Sequence, residues 1–245
     1  MNMRIFIFAT LSLVLSTANA NIIDDTYGAG AGSFELGNFV PTSSYAMSLV
    51  PSDTTITGWT VGAQGGGTAW LNGWNPSQTG TLAPFYAVDT GAYAVSLQDV
   101  SNGSIAITIP TTLGAVYELS FAAAGSPSYW HSSWGNIGVG VVSAGSLVDQ
   151  EFTGPYSVAP YYTQWQTFIP YEFLFTALES TTTIQFTGKD PGTGPYHYGP
   201  IIDSVSVTAV PAPATIWLLG SGLAGLIGIA MHKNQQRGKA HTRAQ

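Results

Sequence analysis

Short stretches in which apolar and polar residues alternate recur through the middle of the chain. Between residues 104 and 109, Ile105, Ile107 and Ile109 share one side of an extended strand, while small or polar residues occupy the other. The same period of two recurs in residues 55–61, 92–97, 116–122, 136–142, 171–177, 182–187 and 201–207. Glycine, proline, asparagine and serine separate these stretches, as they separate strands. The pattern predicts about nine or ten strands in two packed antiparallel sheets, an all-β sandwich or jelly roll.

Two long segments and one acidic residue depart from this pattern. Residues 62–91 and 143–164 are predicted to be large loops, and no useful helical periodicity precedes residue 214. Asp203 shares its strand parity with Val205 and Val207, which are expected to face the core. A buried carboxylate needs hydrogen-bond partners or a cation, since an unpaired charge in the core is very costly. The alternative is that this end of the strand is solvated.

Both ends of the chain carry features of export and membrane insertion. Residues 1–20 contain Arg4, then an apolar run, then the small residues Ala18 and Ala20, which is the arrangement of a secretory signal peptide. We therefore expect the mature chain to start at Asn21 and the sandwich to cover residues 21–209. Residues 214–231 are almost wholly apolar and long enough for one transmembrane helix. The basic residues of the tail 232–245 predict that the tail is cytoplasmic and the sandwich outside.

The charge of the segment between these ends narrows the range of partners. It contains all 13 Asp and Glu residues but only one of the six basic residues, Lys189. Nucleic-acid binding requires Lys and Arg to neutralise phosphates and is therefore excluded. A surface poor in positive charge suits neutral polar ligands, divalent cations or simply solubility. The chain has no cysteine, so disulfides and thiol chemistry are excluded as well.

Aromatic residues concentrate in the segments that separate the predicted strands. The candidates for ligand contact are Trp70, Trp74, Trp130, Trp134 and Tyr162. Exposed indole and phenol rings can stack on the apolar faces of sugars, while Asn, Gln and Asp bond the hydroxyl groups. The alternative is that these rings cap the ends of the core, since large aromatic side chains are buried on average.

The sequence gives little support to an enzyme. The serine-hydrolase motif G-x-S-x-G is absent, and His131 and His197 lack the spacing of metal ligands. Asp149 and Glu151 share strand parity, but a glycosidase needs two carboxylates that face each other across a cleft. We therefore expect a protein that is not an enzyme.

Four stretches, in order, resemble the galactose-binding-like jelly rolls of a family of unknown function found in plant cell-wall proteins and exported bacterial proteins. They are GSFELGNF (32–39), TITGWTV (55–61), AVSLQDVSNGSIAITIPTTLGAVYELSFAAAGSP (94–127) and YGPIIDSVSV (198–207). Carbohydrate-binding modules share this architecture. Many such jelly rolls hold a structural calcium ion between the opening Glu and the closing Asp. The resemblance therefore implies Glu35 and Asp203 as Ca²⁺ ligands, and calcium suits such oxygen ligands.

The stretch VPAPATIWLLGSGLAGLIGIAMHK (210–233) resembles the PEP-CTERM sorting signal in its V-P-x-P-A variant. The motif residues are Val210, Pro211, Pro213 and Ala214. The resemblance implies that residues 210–245 are a sorting signal, cut near the motif by a membrane-embedded exosortase in a Gram-negative bacterium that makes extracellular polysaccharide. The protein would reside transiently in the inner membrane before it passes to the cell surface or matrix. The alternative is a permanent anchor.

Together these features predict an exported surface or matrix protein whose sandwich binds carbohydrate, with the cell's own exopolysaccharide as partner. A structural or adhesive matrix protein without sugar specificity is the alternative from another class. A glycan-active enzyme is the third hypothesis.

Overall fold

The computed structural model describes residues 20–42, 46–63, 67–73, 88–98, 101–125, 136–143, 146–153, 168–189 and 200–211. Within these residues, one short helix precedes eleven strands. The elements are α1 (Ile22–Tyr27), β1 (Ala46–Leu49), β2 (Trp59–Val61), β3 (Thr68–Asn72), β4 (Tyr93–Ser96), β5 (Ser104–Pro110), β6 (Val116–Ala124), β7 (Asn136–Ser143), β8 (Ser146–Thr153), β9 (Ile169–Thr176), β10 (Thr181–Gly188) and β11 (Ile201–Ala209).

The strands form the two antiparallel sheets that the alternating pattern predicts. One sheet has six strands in the order β1-β3-β4-β11-β6-β9, and the other has five in the order β2-β5-β10-β7-β8. The apolar side of each alternating strand packs between the sheets, so that Ile107, Leu119 and Phe186 are at most 1% exposed. The all-β sandwich predicted from the sequence is therefore confirmed.

Four elements, α1, β1, β3 and β8, lie where the sequence predicts loops or no element. Helix α1 is only six residues long, too short to show a helical period, and the Asn21 side chain caps it by accepting the Ile23 N–H at 3.1 Å. Strand β3 is buried on both faces along most of its length, so it shows no alternation. Strand β8 lies within the predicted loop 143–164. The loop predictions are wrong for the residues of β3 and β8.

The register of β11 defines two ends of the sandwich. It begins at Ile201, which pairs with Ala124 at the end of β6. It finishes at Ala209, which pairs with Tyr117 near the start of β6. We call these the Ile201 end and the Ala209 end.

Candidate functional site

Three connections rich in aromatic residues begin and finish at the Ile201 end. Residues 126–135 join β6 to β7, residues 154–167 join β8 to β9, and residues 190–199 join β10 to β11. The pairs that place the flanking strand ends together are Ala124↔Ile201, Ala123↔Ile169, Gly188↔Ile137 and Asn136↔Thr153. The strands that carry all three connections therefore end or begin on the same side of the molecule.

The turn between β4 and β5 joins the two sheets at this end. The Leu97 N–H donates to the Pro200 oxygen, just before β11, at 2.9 Å. The Gly188 N–H, at the end of β10, donates to the Gly103 oxygen, also at 2.9 Å. Strand ends from both sheets therefore lie together at the Ile201 end.

The predicted contact residues Trp130, Trp134 and Tyr162 belong to the connections 126–135 and 154–167. They lie outside the described residues, as does Trp74 in the segment between β3 and β4. The topology brings the flanks of the two segments that carry Trp130, Trp134 and Tyr162 to one end. Contact between these four side chains and a sugar stays a prediction.

Trp70 is a core residue, and its prediction as a ligand contact is wrong. It lies on β3 with 1% of its surface exposed. Its indole N–H donates to the Phe34 oxygen at 3.1 Å, and its ring lies 5.3 Å from Phe39 and 5.1 Å from Tyr93, between ring centroids. The alternative interpretation, in which the aromatic rings belong to the core, therefore holds for Trp70. Its hydrogen bond to the Phe34 oxygen also links β3 to the N-terminal segment.

The outer side of the five-stranded sheet forms a polar face that the sequence analysis did not single out. Its polar members on β2, β5 and β10 are Thr60, Thr108, Thr181, Thr183, Gln185 and Thr187, with Ala106 among them. The hydroxyls of Thr108 and Thr183 lie 2.8 Å apart, and the Gln185 amide donates to the Thr187 hydroxyl at 3.3 Å. None of the residues of β2, β5 and β10 is charged. The signal was the polar half of the alternation, which repeats threonine along β10.

Asp203 holds the first half of a turn formed by residues 89–93. Its Oδ2 accepts the N–H groups of Asp89 at 2.8 Å and Thr90 at 3.0 Å, and its Oδ1 accepts the N–H of Ser204 at 2.6 Å. Asp203 is fully buried. The prediction that this carboxyl needs hydrogen-bond partners is therefore confirmed, and the alternative of a solvated strand end is wrong.

Glu35 holds the second half of the same turn. Its Oε1 accepts the N–H groups of Ala92 at 2.9 Å and Tyr93 at 2.8 Å. The segment before Glu35 lies beside β11, because the Val205 N–H donates to the Gly32 oxygen at 2.9 Å. We call Glu35 and Asp203, with the turn 89–93 that they bind, the carboxyl clamp.

A bulge in β11 corrects the predicted orientation of Asp203. The register shifts between Asp203 and Ser206, and Ser204 has a φ of 52°. Before the bulge Ile202 belongs to the main core, whereas after it Val205 and Val207 do. The parity that faces the core therefore changes within the strand. The sequence pattern predicts that Asp203 lies on the same side of β11 as Val205 and Val207. In the structure Asp203 lies on the side opposite to Ile202, and the bulge makes this the side opposite to Val205 and Val207 as well.

Burial raises the pKa of Asp203 to about 8. The N–H groups of Thr90, Ser204 and Asp89 favour the charged form and so lower the pKa of Asp203. Their effect is smaller than the rise in pKa that burial causes. The neighbouring Asp89 carboxylate raises the pKa further by repulsion. The clamp therefore holds a carboxyl group that is largely neutral at pH 7.

The bonds of the clamp bear on the calcium ion implied by the resemblance. Both oxygens of Asp203 and the Oε1 of Glu35 face backbone N–H groups, whose positive ends point to where a cation would lie. Among the described residues, no group of three His, Cys, Asp or Glu could hold a metal ion. This arrangement does not fit a calcium cage, and both carboxyls have partners without an ion. Calcium binding by Glu35 and Asp203 stays an untested prediction.

The sorting motif begins directly after β11. Val210 and Pro211 are exposed, whereas Pro213, Ala214 and the rest of the predicted span 214–231 lie outside the described residues. No helix in the part of the chain that the structure describes is long and apolar enough to cross a membrane. Export, cleavage and the membrane span remain predictions.

Comparison with known proteins gives one family and several distant structural likenesses. The family "Protein of unknown function (DUF642)" matches residues 30–208. No curated protein matches the chain. The solved structure of TmCBM61 in complex with β-1,4-galactotriose is 17% identical, with 78% of this chain and 99% of that chain covered and a TM-score of 0.44. A family 35 carbohydrate-binding module from Clostridium thermocellum is 16% identical, with 58% and 92% covered and a TM-score of 0.36.

Proposed function

The chain belongs to the DUF642 family, whose function is unknown, and from that premise we propose an exported surface or matrix protein whose sandwich binds polysaccharide at its Ile201 end. One observation carries the proposal. The strand registers bring together at this end the flanks of the connections 126–135, 154–167 and 190–199. These three connections contain nine Tyr and Trp residues. Binding sites for small neutral ligands combine such rings with a few polar groups.

The chemistry of the polar face supports a neutral polysaccharide as the ligand. Threonine hydroxyls and the Gln185 amide both donate and accept hydrogen bonds, as sugar hydroxyls do. Thr187 lies at the end of β10 nearest the Ile201 end. The domain contains a single basic residue, Lys189, so it has little means of pairing with anionic groups. The producing cell's own exopolysaccharide is the ligand we propose, with a binding role and no catalysis.

Export and processing complete the proposal. The signal peptide 1–20 directs the chain across the inner membrane, the span 214–231 holds it there, and an exosortase cuts near residues 210–214. The released protein then joins the cell surface or extracellular matrix. A structural matrix protein without sugar specificity is the rival function, and it shares every step except glycan binding.

Replacing Trp130 by alanine is expected to weaken binding to the secreted polysaccharide about tenfold, since a central aromatic contact contributes roughly 1–2 kcal/mol. Trp134→Ala should act in the same direction. If these rings contact the ligand and not the core, both variants should keep the wild-type melting temperature. Affinity electrophoresis in gels that contain the polysaccharide measures the change.

The matched control is Leu113→Ala, an exposed apolar residue at the opposite end of the sandwich. It should leave binding unchanged. Full retention of binding in both tryptophan variants would favour the structural matrix protein. An equal loss of binding in all three variants would contradict a polysaccharide site at the Ile201 end.

Mass spectrometry of surface material is expected to find a C-terminal peptide that ends between Val210 and Ala214. A Pro211→Ala, Pro213→Ala double variant should retain the tail, since it removes the motif that the enzyme reads. Recovery of wild-type surface protein with its tail intact through Gln245 would contradict processing and support the permanent anchor.

A further inference from the structure

The outer sides of the two sheets differ in charge. On the six-stranded sheet, β6 carries Glu118, which is half-buried, and β9 carries Glu172, which is exposed. On the five-stranded sheet, strands β2, β5, β7 and β10 contain no Asp, Glu, Lys or Arg. The polar face of this sheet presents threonine hydroxyls and the Gln185 amide instead. It therefore offers hydrogen-bonding groups without charge.

The polar face is accessible along the length of β10, which lies between β5 and β7 in the sheet. Thr181 is exposed, and Thr183, Gln185 and Thr187 are half-buried. These four side chains form a column about 20 Å long, at the usual rise of a strand. Each of them both donates and accepts hydrogen bonds, as a sugar hydroxyl does. A column of this length can contact several units of an extended chain.

Two glycines of β7 lie beside this column. Gly138 pairs with Thr187 and Gly140 pairs with Gln185, and residues that pair directly stand on the same side of a sheet. Glycine weakens the interior of a strand, where threonine is favoured, and it often marks a place that a ligand or another backbone approaches closely. Since β7 has no side chain at these two positions, a molecule bound to the β10 column can also reach the β7 backbone.

We propose that the polar face binds one neutral polysaccharide chain, which lies along β10 with Thr183 and Gln185 as hydrogen-bond partners and the Gly138 and Gly140 backbone beside it. The inference rests on the proposed function and extends its site, because Thr187 and Gly138 lie near the Ile201 end. None of the polar members of the face is aromatic or charged. Recognition there therefore depends on hydrogen bonds, and an anionic chain would find no partner of opposite charge.

The probe is the polysaccharide that the producing cell secretes, separated by anion exchange into neutral and acidic fractions. Affinity electrophoresis measures how the full chain is retained by each. Gln185→Ala is expected to weaken retention by the neutral fraction about fivefold, through lost hydrogen bonds. Gly140→Thr should weaken it about tenfold or more, because the added side chain occupies the place of the ligand. The matched control, Thr176→Ala, removes an exposed hydroxyl from β9 and should change nothing.

The melting temperature separates a ligand from a structural role of the glycines. Because threonine suits a strand better than glycine does, Gly140→Thr should keep or raise the melting temperature. A lower melting temperature, or failure of this variant to fold, would mean that the glycine makes room for the protein itself. In that case the retention of Gln185→Ala and Thr183→Ala decides, and unchanged retention in both would overturn the inference.

The other outcomes distinguish this inference from the proposed function. If Trp130→Ala loses retention while Gln185→Ala and Gly140→Thr keep it, the polar face is rejected and the Ile201 end stands. If the wild-type chain is retained by neither fraction, the proposed function fails as well. Retention by the acidic fraction alone would overturn the neutral ligand. A change of oligomeric state in Gln185→Ala, measured by light scattering, would assign the face to contact between copies.

Discussion

Replacing Trp70 by alanine is expected to lower the free energy of unfolding by about 4–5 kcal/mol, the upper part of the range for buried aromatic residues. The substitution leaves a cavity against Phe39 and Tyr93 and removes the donor that bonds the Phe34 oxygen. In a domain of this size the melting temperature should fall by roughly 10 °C or more. Thermal unfolding followed by near-ultraviolet circular dichroism measures the loss.

Trp70→Phe is the matched control, because it keeps a ring in the core while it removes the indole N–H and part of the ring volume. It should cost about 1–2 kcal/mol, most of it from the unpaired carbonyl. If Trp70→Ala instead kept the wild-type melting temperature and reduced polysaccharide binding, the ring would be a ligand contact and its place in the core would be wrong.

Asp203→Ala is expected to lower the free energy of unfolding by about 3–5 kcal/mol at pH 5. The partly buried N–H groups of Asp89, Thr90 and Ser204 would lose their acceptor together, and an unsatisfied donor costs up to about 1–3 kcal/mol when it is buried. Denaturant unfolding at fixed pH measures the change. The control is Glu172→Ala on β9, where an exposed carboxyl should contribute within about 0.5 kcal/mol.

The same residue should make stability depend on pH. Because burial raises the pKa of Asp203 from 3.8 to about 8, the folded state holds the proton more tightly than the unfolded chain between these values. This contribution is therefore complete below about pH 4 and is lost as the pH rises through 8. The wild-type melting temperature should fall across this window, and Asp203→Asn, which cannot ionise, should flatten that fall.

Treatment with a chelator distinguishes a carboxyl clamp held by hydrogen bonds alone from the calcium site that the family resemblance implies. Since the carboxyls of Glu35 and Asp203 already accept backbone N–H groups, we expect a chelator to leave the melting temperature unchanged. A calcium-dependent rise that Asp203→Asn abolishes would contradict this expectation and support an ion held by Glu35 and Asp203.

The sequence was most informative where each strand has one buried and one exposed face. Strands β5, β6 and β10 alternate cleanly because their inner residues fill the core and their outer residues meet solvent. Strand β3 shows no alternation, because its outer residues Ala69 and Leu71 are buried in a second apolar cluster. The parity of β11 failed for a related reason, since a bulge adds residues that a strict period of two cannot anticipate.

The candidate site was predicted in composition but not in arrangement. The sequence shows which segments are aromatic, but only the strand registers show that the strand ends flanking three of them share the Ile201 end. It could not separate Trp70 from the loop tryptophans, because burial of a ring depends on partners such as Phe34 and Phe39 that are distant in the chain. The resemblance named Glu35 and Asp203 as calcium ligands, which stays untested, and the sequence did not show that both bind one turn more than 50 residues from either.

Hydrogen exchange of the protein with and without polysaccharide tests whether the Ile201 end carries the polysaccharide site. We expect bound polysaccharide to slow exchange in peptides that cover residues 126–135, 154–167 and 190–199, and to leave exchange in the turns 111–115 and 177–180 unchanged. Protection confined to those two turns, or no protection at saturating polysaccharide, would contradict it.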